Sequence, residues 1–187
     1  MNVDCEHCGH SNKPPAPVKC GKCGESFSFF TDPVSEWEPW DYSKWLFAHH
    51  FQIVDLAYAK GWQALPRSLQ LNYLVGYFYY QFLNGGLPQY LMNPCGPDAP
   101  ELVDALREVE APQTADVVAQ LLRFFPDGRP PLNQAERDDY VMAIPDDVLD
   151  QLGDLATHLV NEEDTPEDLL VLLHRRITAC QLQEAAS

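Results

Sequence analysis

Residues 69–93 read LQLNYLVGYFYYQFLNGGLPQYLMN, and this stretch decides the fold class. The run from Tyr73 to Tyr80 is apolar and aromatic all round, which is typical of a central, buried helix. A buried strand is the competing interpretation of so short an apolar run. The length of the segment and the stop signal Asn84-Gly85-Gly86 favour a helix. We therefore predict a helix over 69–83, followed by a short helix over 89–92 after Pro88.

From residue 42 onward the sequence has helical periodicity and almost no strand pattern. A first helix is predicted over 42–60, ending at Gly61, and proline opens later helices at Pro100, Pro112 and Pro145. Residues 133–143 predict a further turn of helix. Thr165-Pro-Glu-Asp168 is an N-cap box for a last helix that extends to about Gln183. The predicted fold class is mainly α, a helical-bundle domain.

The N-terminus carries two Cys-x-x-Cys pairs, Cys5-Glu-His-Cys8 and Cys20-Gly-Lys-Cys23, with eleven residues between them. Four thiolates at this spacing are typical of one structural zinc ion in a small zinc ribbon. Four thiolates complete the tetrahedron and leave no position for substrate, which argues against a catalytic metal. Two disulfides, or a redox pair, are the alternative interpretations.

These patterns divide the chain into a zinc ribbon over 1–30, an ordered linker over 31–41 and an acidic all-helical domain over 42–187. Cys95 and Cys180 are left over and are predicted to be free thiols. No signal peptide or membrane-length apolar run is visible, so a cytoplasmic protein is expected.

The formal charge of the 187-residue chain is −16, and residues 95–187 alone contribute −14, from twenty acidic residues and six arginines. Such a surface repels nucleic acid, whose binding depends on Lys and Arg. It attracts basic partners and accelerates their capture. Simple solubility is the alternative explanation of the charge.

The strongest acidic pattern lies on the helix that Pro145 opens. On a helical wheel Asp146, Asp147, Asp150 and Asp154 occupy one sector, opposite an apolar side that includes Leu152 and Leu155. Further acids extend the predicted partner-binding ridge on both sides: Asp138, Asp139, Glu162, Glu163 and Asp164. A solvated face with acids that stabilise the helix N-terminus is the alternative.

No catalytic constellation is recognisable. Acids that share one outward face cannot flank a substrate as a glycosidase pair does. Motifs for a nucleophilic serine or a phosphate loop are absent. The histidines His49, His50, His158 and His174 are expected to be packed or surface residues. We predict no enzymatic activity.

The segment Asn84-Gly-Gly-Leu-Pro-Gln-Tyr-Leu-Met-Asn93 resembles a bacterial family, the DNA-mimic proteins of the neisserial nineteen-kilodalton type. Phe78, Tyr79, Gln81 and Phe82 precede the motif as in the family, and Ala105-Leu106 and Glu110-Ala111 match the helix after it. The resemblance covers about residues 42–180. Leu87 and Leu91 depart from it, because the family usually has aromatic residues there, and the zinc module is an addition.

The resemblance implies an all-helical fold and an acidic surface that imitates DNA phosphates. It gives the motif residues Asn84, Gly85, Gly86, Gln89, Tyr90 and Asn93 mainly structural roles. The two glycines are expected to stop the aromatic helix, and Gln89 and Asn93 to bond backbone groups. A ligand pocket at Gln89, Tyr90 and Asn93 is the alternative.

Three functional hypotheses follow. In the first, the acidic domain occupies a basic partner protein by electrostatic mimicry. That partner would be either a DNA-binding regulator or a toxin for which this chain is the immunity protein. In the second, the zinc ribbon is an adaptor that docks the helical domain onto a larger complex. The third is an unrecognised hydrolase. Direct binding to nucleic acid or membrane is not expected, and a homodimer is possible.

Overall fold

The computed structural model describes residues 3–4, 11–12, 22, 39–160 and 169–185. The chain divides into two compact units. The first unit comprises Met1–Tyr73 and Ile177–Ser187, and the second comprises Leu74–Arg176. The four cysteines of the predicted zinc site and the acids Glu162, Glu163 and Asp164 lie outside the described residues, as does the predicted N-cap box at residues 165–168.

In the first unit, two short strands form an antiparallel pair, β1 (Val3–Asp4) with β2 (Ser11–Asn12). Helix α1 (Pro39–Lys60) confirms the predicted first helix, although it begins at Pro39 rather than at residue 42. A 3₁₀ turn (Trp62–Ala64) and the short helix α2 (Arg67–Leu71) follow. The start of α2 is held by Ser68, whose N–H and hydroxyl both donate to the Glu184 carboxylate, at 3.0 and 2.8 Å.

The aromatic segment is helical, as predicted, but it is not one regular helix. A π-helical turn (Asn72–Gly76) connects α2 to α3 (Tyr77–Met92). A π-helical turn is wider than an α-helical turn, so it rotates the later residues about the helix axis. Aromatic side chains on several sides of the segment can therefore be buried. Tyr73, Leu74, Val75, Phe78 and Tyr79 are all buried, which confirms the predicted central position of this segment.

The second unit is built from α3 and the helices after it. These are α4 (Ala99–Glu108), α5 (Pro112–Leu122), α6 (Gln134–Met142), α7 (Asp146–Val160) and the first part of α8 (Leu169–Ala185). Short 3₁₀ turns lie at Gly96–Asp98 and Pro126–Gly128. Helix α4 packs on α5, α3 contacts α6 and α7, and α5 contacts α7. Within residues 39–160 and 169–185 there is no strand, so the fold is mainly α as predicted.

The end of α3 is fixed by a buried arginine on α6. Arg137 is only 2 % exposed. Its Nε donates to the Leu91 carbonyl at 2.7 Å. One terminal nitrogen donates to the carbonyls of Met92 and Asn93, at 3.0 and 3.1 Å. The last carbonyls of a helix have no partner within it, so this guanidinium supplies the donors that the helix end lacks.

The other terminal nitrogen of Arg137 donates to the carbonyls of Pro131 and Leu132, at 2.7 and 3.2 Å, in the loop before α6. One side chain thus joins the C-terminus of α3 to the loop that precedes α6. Gly96 is required beside it, because a Cβ there would lie 2.0 Å from the Leu91 carbonyl oxygen.

Replacing Arg137 by Met is expected to destabilise the protein by about 3 kcal/mol or more. Methionine has no donor, so several buried carbonyls would lose their partners at once. Urea unfolding at neutral pH measures this loss. The matched control is Arg123→Met, because Arg123 is exposed at the end of α5, where a surface substitution changes stability by about 0.5 kcal/mol or less. Equal effects of the two substitutions would contradict the role assigned to Arg137.

No helix among the described residues is long and apolar enough to cross a membrane.

Candidate partner-binding surface

The Asn-Gly-Gly motif breaks α3, as predicted. Gly85 and Gly86 have non-helical backbone angles inside the helix, and Gly86 has a φ of 71°. That left-handed conformation is readily available only to glycine. Gly85 is required for a different reason, since a Cβ there would lie 2.8 Å from the Cβ of Gln89. The Nδ2 of Asn84 donates to the carbonyl of Tyr80 at 3.0 Å, in the turn before the break.

The prediction that Gln89 and Asn93 bond backbone groups through their side chains is wrong. Both amides donate to the side-chain carbonyl of Gln81, the Gln89 Nε2 at 3.5 Å and the Asn93 Nδ2 through a short bond. Gln81 is itself buried and lies on α3 before the break. The three amides therefore form a side-chain network that joins the two halves of α3 across the glycine pair.

The remaining motif residues are part of the core. Tyr90 is buried and meets Phe78 edge-on, with ring centroids 5.3 Å apart. Leu87 and Leu91, where the resemblance leads one to expect aromatic residues, are also buried. This packing supports a structural role for the motif over the alternative of a ligand pocket.

Helix α7 presents the predicted acidic residues to solvent. Asp146, Asp147, Asp150 and Asp154 are all exposed. On the opposite side Leu152 and Ala156 are buried. Leu155 is on the apolar side of the helical wheel, but it is 45 % exposed.

The two acids on α6 differ from each other. Asp139 is exposed, but Asp138 is only partly so, and its Oδ1 is buried without a hydrogen-bond partner. Asp138 follows Arg137 directly in the sequence, so the anchoring of that arginine also fixes where this acid lies. Asp139 is the α6 residue best placed to extend an acidic surface.

The arginines of the second unit are distributed unevenly among its acids. This unit holds nineteen acidic residues and six arginines, a net formal charge of −13. Arg129 pairs with Glu101 through two nitrogens, at 2.7 and 3.2 Å. Arg176 pairs with Glu108 at 2.9 Å. Arg107 lies 3.9 Å from Asp104 and 3.5 Å from Asp116.

All of these pairs use acids of α4 and α5. Among the residues that the structure describes, none of the acids of α6 and α7 that were predicted to bind a partner takes part in an ion pair: Asp138, Asp139, Asp146, Asp147, Asp150 and Asp154. Among the described pairs, the protein's own arginines partly neutralise the charge on α4 and α5 and do not pair with the acids of α6 and α7.

The spacing on α7 lets these charges act together. Asp146, Asp150 and Asp154 follow one another at four-residue intervals, about 6 Å along the helix axis. That distance is below the Debye length of about 8 Å at physiological ionic strength, so their fields add before salt screens them. The row therefore presents a sustained negative potential to an approaching cation.

The described residues contain no group of three His, Cys, Asp or Glu side chains that could hold a metal ion. The side chains of His49 and His158 are outside the described set. The exposed acids of α6 and α7 remain the candidate surface of the second unit.

Comparison with known families agrees with this assignment. The family described as DMP19-like protein matches residues 63–176, which is more than half of the chain. The chain belongs to the DMP19-like family. The match includes the Asn-Gly-Gly motif, Arg137 and the acids of α6 and α7, and it supports a protein of the DNA-mimic type. No curated protein and no solved structure was found to match.

Of the histidines whose side chains the structure describes in this DMP19-like chain, His50 and His174 are buried, which agrees with the expected packed position. Burial lowers the pKa of His50 to about 4, and it lowers the pKa of His174 to about 4 as well. The ordinary histidine pKa is about 6.5, so between pH 6.5 and 4 the unfolded chain binds protons that the folded chain does not. Their contribution to stability is therefore present at pH 7 and is lost as the pH falls through this window.

Each of these histidines is expected to make the free energy of unfolding fall by about 2 kcal/mol between pH 7 and pH 5. Urea unfolding at the two pH values, for the natural protein and for His174→Leu, measures this. Protonation of carboxylates also changes stability over this range, but it affects both proteins equally. The fall should be smaller by about 2 kcal/mol in the variant, and an unchanged fall would contradict the assignment.

Proposed function

We propose that this protein is a non-enzymatic, acidic inhibitor that occupies a basic nucleic-acid-binding protein by electrostatic mimicry. The carboxylates of α6 and α7 stand where the phosphates of a nucleic acid would stand. The partner is either a DNA-binding regulator or a toxin that acts on nucleic acid, in which case this chain is the immunity protein.

The distribution of ion pairs among the described residues is the observation that supports this proposal. Charge needed only for solubility could be spread over the surface, with arginines paired wherever they fall. Here Arg107, Arg129 and Arg176 pair with acids of α4 and α5, while the row on α7 has no cation of its own among the described residues. Like charges four residues apart cost a few tenths of a kcal/mol per pair, and binding a basic partner relieves that repulsion.

The helix that carries the row is also well supported. Its buried residues Leu152 and Ala156 face inward, and α7 contacts both α3 and α5. A surface held in place in this way needs little reordering when a partner binds, so more of the electrostatic attraction appears as affinity.

The triple substitution Asp147→Asn, Asp150→Asn and Asp154→Asn is expected to weaken partner binding at least about ten-fold while the protein stays folded. The test has two steps. Proteins captured from a host lysate at low salt by the immobilised chain are identified, and the affinity of each captured basic protein is then measured with purified components at increasing salt. The slope of affinity against salt should also be lower for the variant.

The matched control replaces three exposed acids elsewhere, Asp104→Asn, Asp116→Asn and Asp127→Asn, and so changes the net charge by the same amount. Asp127 has a φ of 54°, which asparagine tolerates. The control should bind almost as the natural protein does. Equal weakening by the two variants would mean that net charge alone attracts the partner, and it would contradict a defined site on α7.

Competition separates mimicry from other modes of binding. Double-stranded DNA should displace the protein from its partner, because both occupy the same basic surface, and a neutral polymer should not. A partner that binds DNA and this protein simultaneously would overturn mimicry. Binding that is lost when residues 1–30 are removed, and kept in the triple variant, would instead favour the adaptor hypothesis.

A further inference from the structure

We propose that Cys5, Cys8, Cys20 and Cys23 together bind one structural zinc ion as four thiolates. The side chains of these cysteines lie outside the described residues, so the proposal is built from their spacing in the sequence and from the described residues that flank them. It is independent of the acidic surface.

The first pair of cysteines belongs to a segment whose two ends are held together. Val3 pairs with Asn12 and Asp4 with Ser11 in the antiparallel register of β1 and β2. Paired residues in such a ladder have Cα atoms about 4.5–5.5 Å apart. The six residues 5–10 therefore connect two closely spaced ends, and both Cys5 and Cys8 are in this connection.

The second pair encloses a turn. Lys22 lies between Cys20 and Cys23, in a turn, and it is exposed. A tight turn within Cys-x-x-Cys is the conformation that brings two sulfurs to one ion, about 2.3 Å from each. Gly21 precedes Lys22 and Gly24 follows Cys23, and glycine offers the backbone freedom that such turns use.

The remaining cysteines do not compete for the ion. Cys95 and Cys180 are buried and neither is in a disulfide, as predicted from the sequence. Burial raises the pKa of the Cys95 thiol far above its ordinary value, so it is not available as a thiolate at neutral pH. The N-terminal cysteines form the only set of four that the sequence leaves for a metal.

A zinc site with four thiolate ligands has no open coordination position. Four thiols and one Zn²⁺ give a complex of net charge −2 and release four protons. With four sulfur ligands the ion has no position for water or substrate, so its role is to fold the N-terminal segment. Because the ligands must lose protons, zinc affinity falls as the pH falls.

The test uses the full chain, purified without chelator, and measures zinc by elemental analysis. One zinc per chain is expected. The double substitution Cys20→Ser and Cys23→Ser should reduce the content to less than about 0.1 per chain after dialysis, since two ligands cannot hold a structural ion. Addition of Zn²⁺ to the chelator-stripped natural protein at pH 7 should release nearly four protons per ion bound, because the ordinary pKa of a thiol is about 8.5.

Two matched variants make the assignment specific. His7→Gln together with His10→Gln changes two nearby residues that could bind zinc, and it should leave the zinc content at one. Cys180→Ala removes a thiol outside the site and should do the same. Zinc lost in the histidine variant would overturn the four-cysteine assignment, as would zinc retained in the double cysteine variant. A natural protein that contains no zinc would overturn the proposal altogether.

Discussion

The five hydrogen bonds that Arg137 donates are the interaction on which the second unit depends. Helix α3 ends at Met92, and the arginine supplies donors for the carbonyls of Leu91, Met92 and Asn93. All five acceptors are backbone carbonyls, so none of these bonds goes to a carboxylate although the chain is rich in acids. Because Arg137 binds both the C-terminus of α3 and the loop before α6, it fixes where α6 begins. It thereby also fixes the positions of its neighbours Asp138 and Asp139.

Much of this organisation could be predicted from residue patterns. Helix positions followed from proline and glycine signals and from apolar periodicity, and the aromatic segment was correctly expected to be buried. The exposure of Asp146, Asp147, Asp150 and Asp154 followed from the helical wheel. These features depend on residues close together in the sequence, so local patterns are sufficient to predict them.

The errors concern interactions between distant or competing groups. The partner of Gln89 and Asn93 is Gln81, because the break at the glycine pair folds the helix so that three amides meet. The π-helical turn at Asn72–Gly76 was not predicted, because the apolar periodicity of a sequence does not distinguish a π-helical turn from an α-helical one. Arg137 stands between acids at positions 136 and 138, and its sequence context suggests a solvated helix face. Only the three-dimensional path of α3 shows that it is buried. The wheel gives the side of the helix on which Leu155 lies but not its exposure, because the apolar side of a helix can leave one residue in water.

The significance of the acidic surface depends on where the arginines of the second unit are paired. A uniform negative charge would attract any cation without preference for direction. Here the described ion pairs of Arg107, Arg129 and Arg176 use acids of α4 and α5, and Arg137 is buried against backbone carbonyls. Among the residues that the structure describes, the exposed acids of α7 form no ion pair, and the helix that carries them packs on α3 and α5.

The burial of Cys95 and Cys180 has a consequence for reactivity. A thiol that is shielded from solvent is reached by alkylating reagents only when the chain opens, and burial also raises the pKa of the Cys95 thiol, which makes it a poorer nucleophile. Slow modification of these two thiols therefore reports the opening of the helical core around them, without any introduced label.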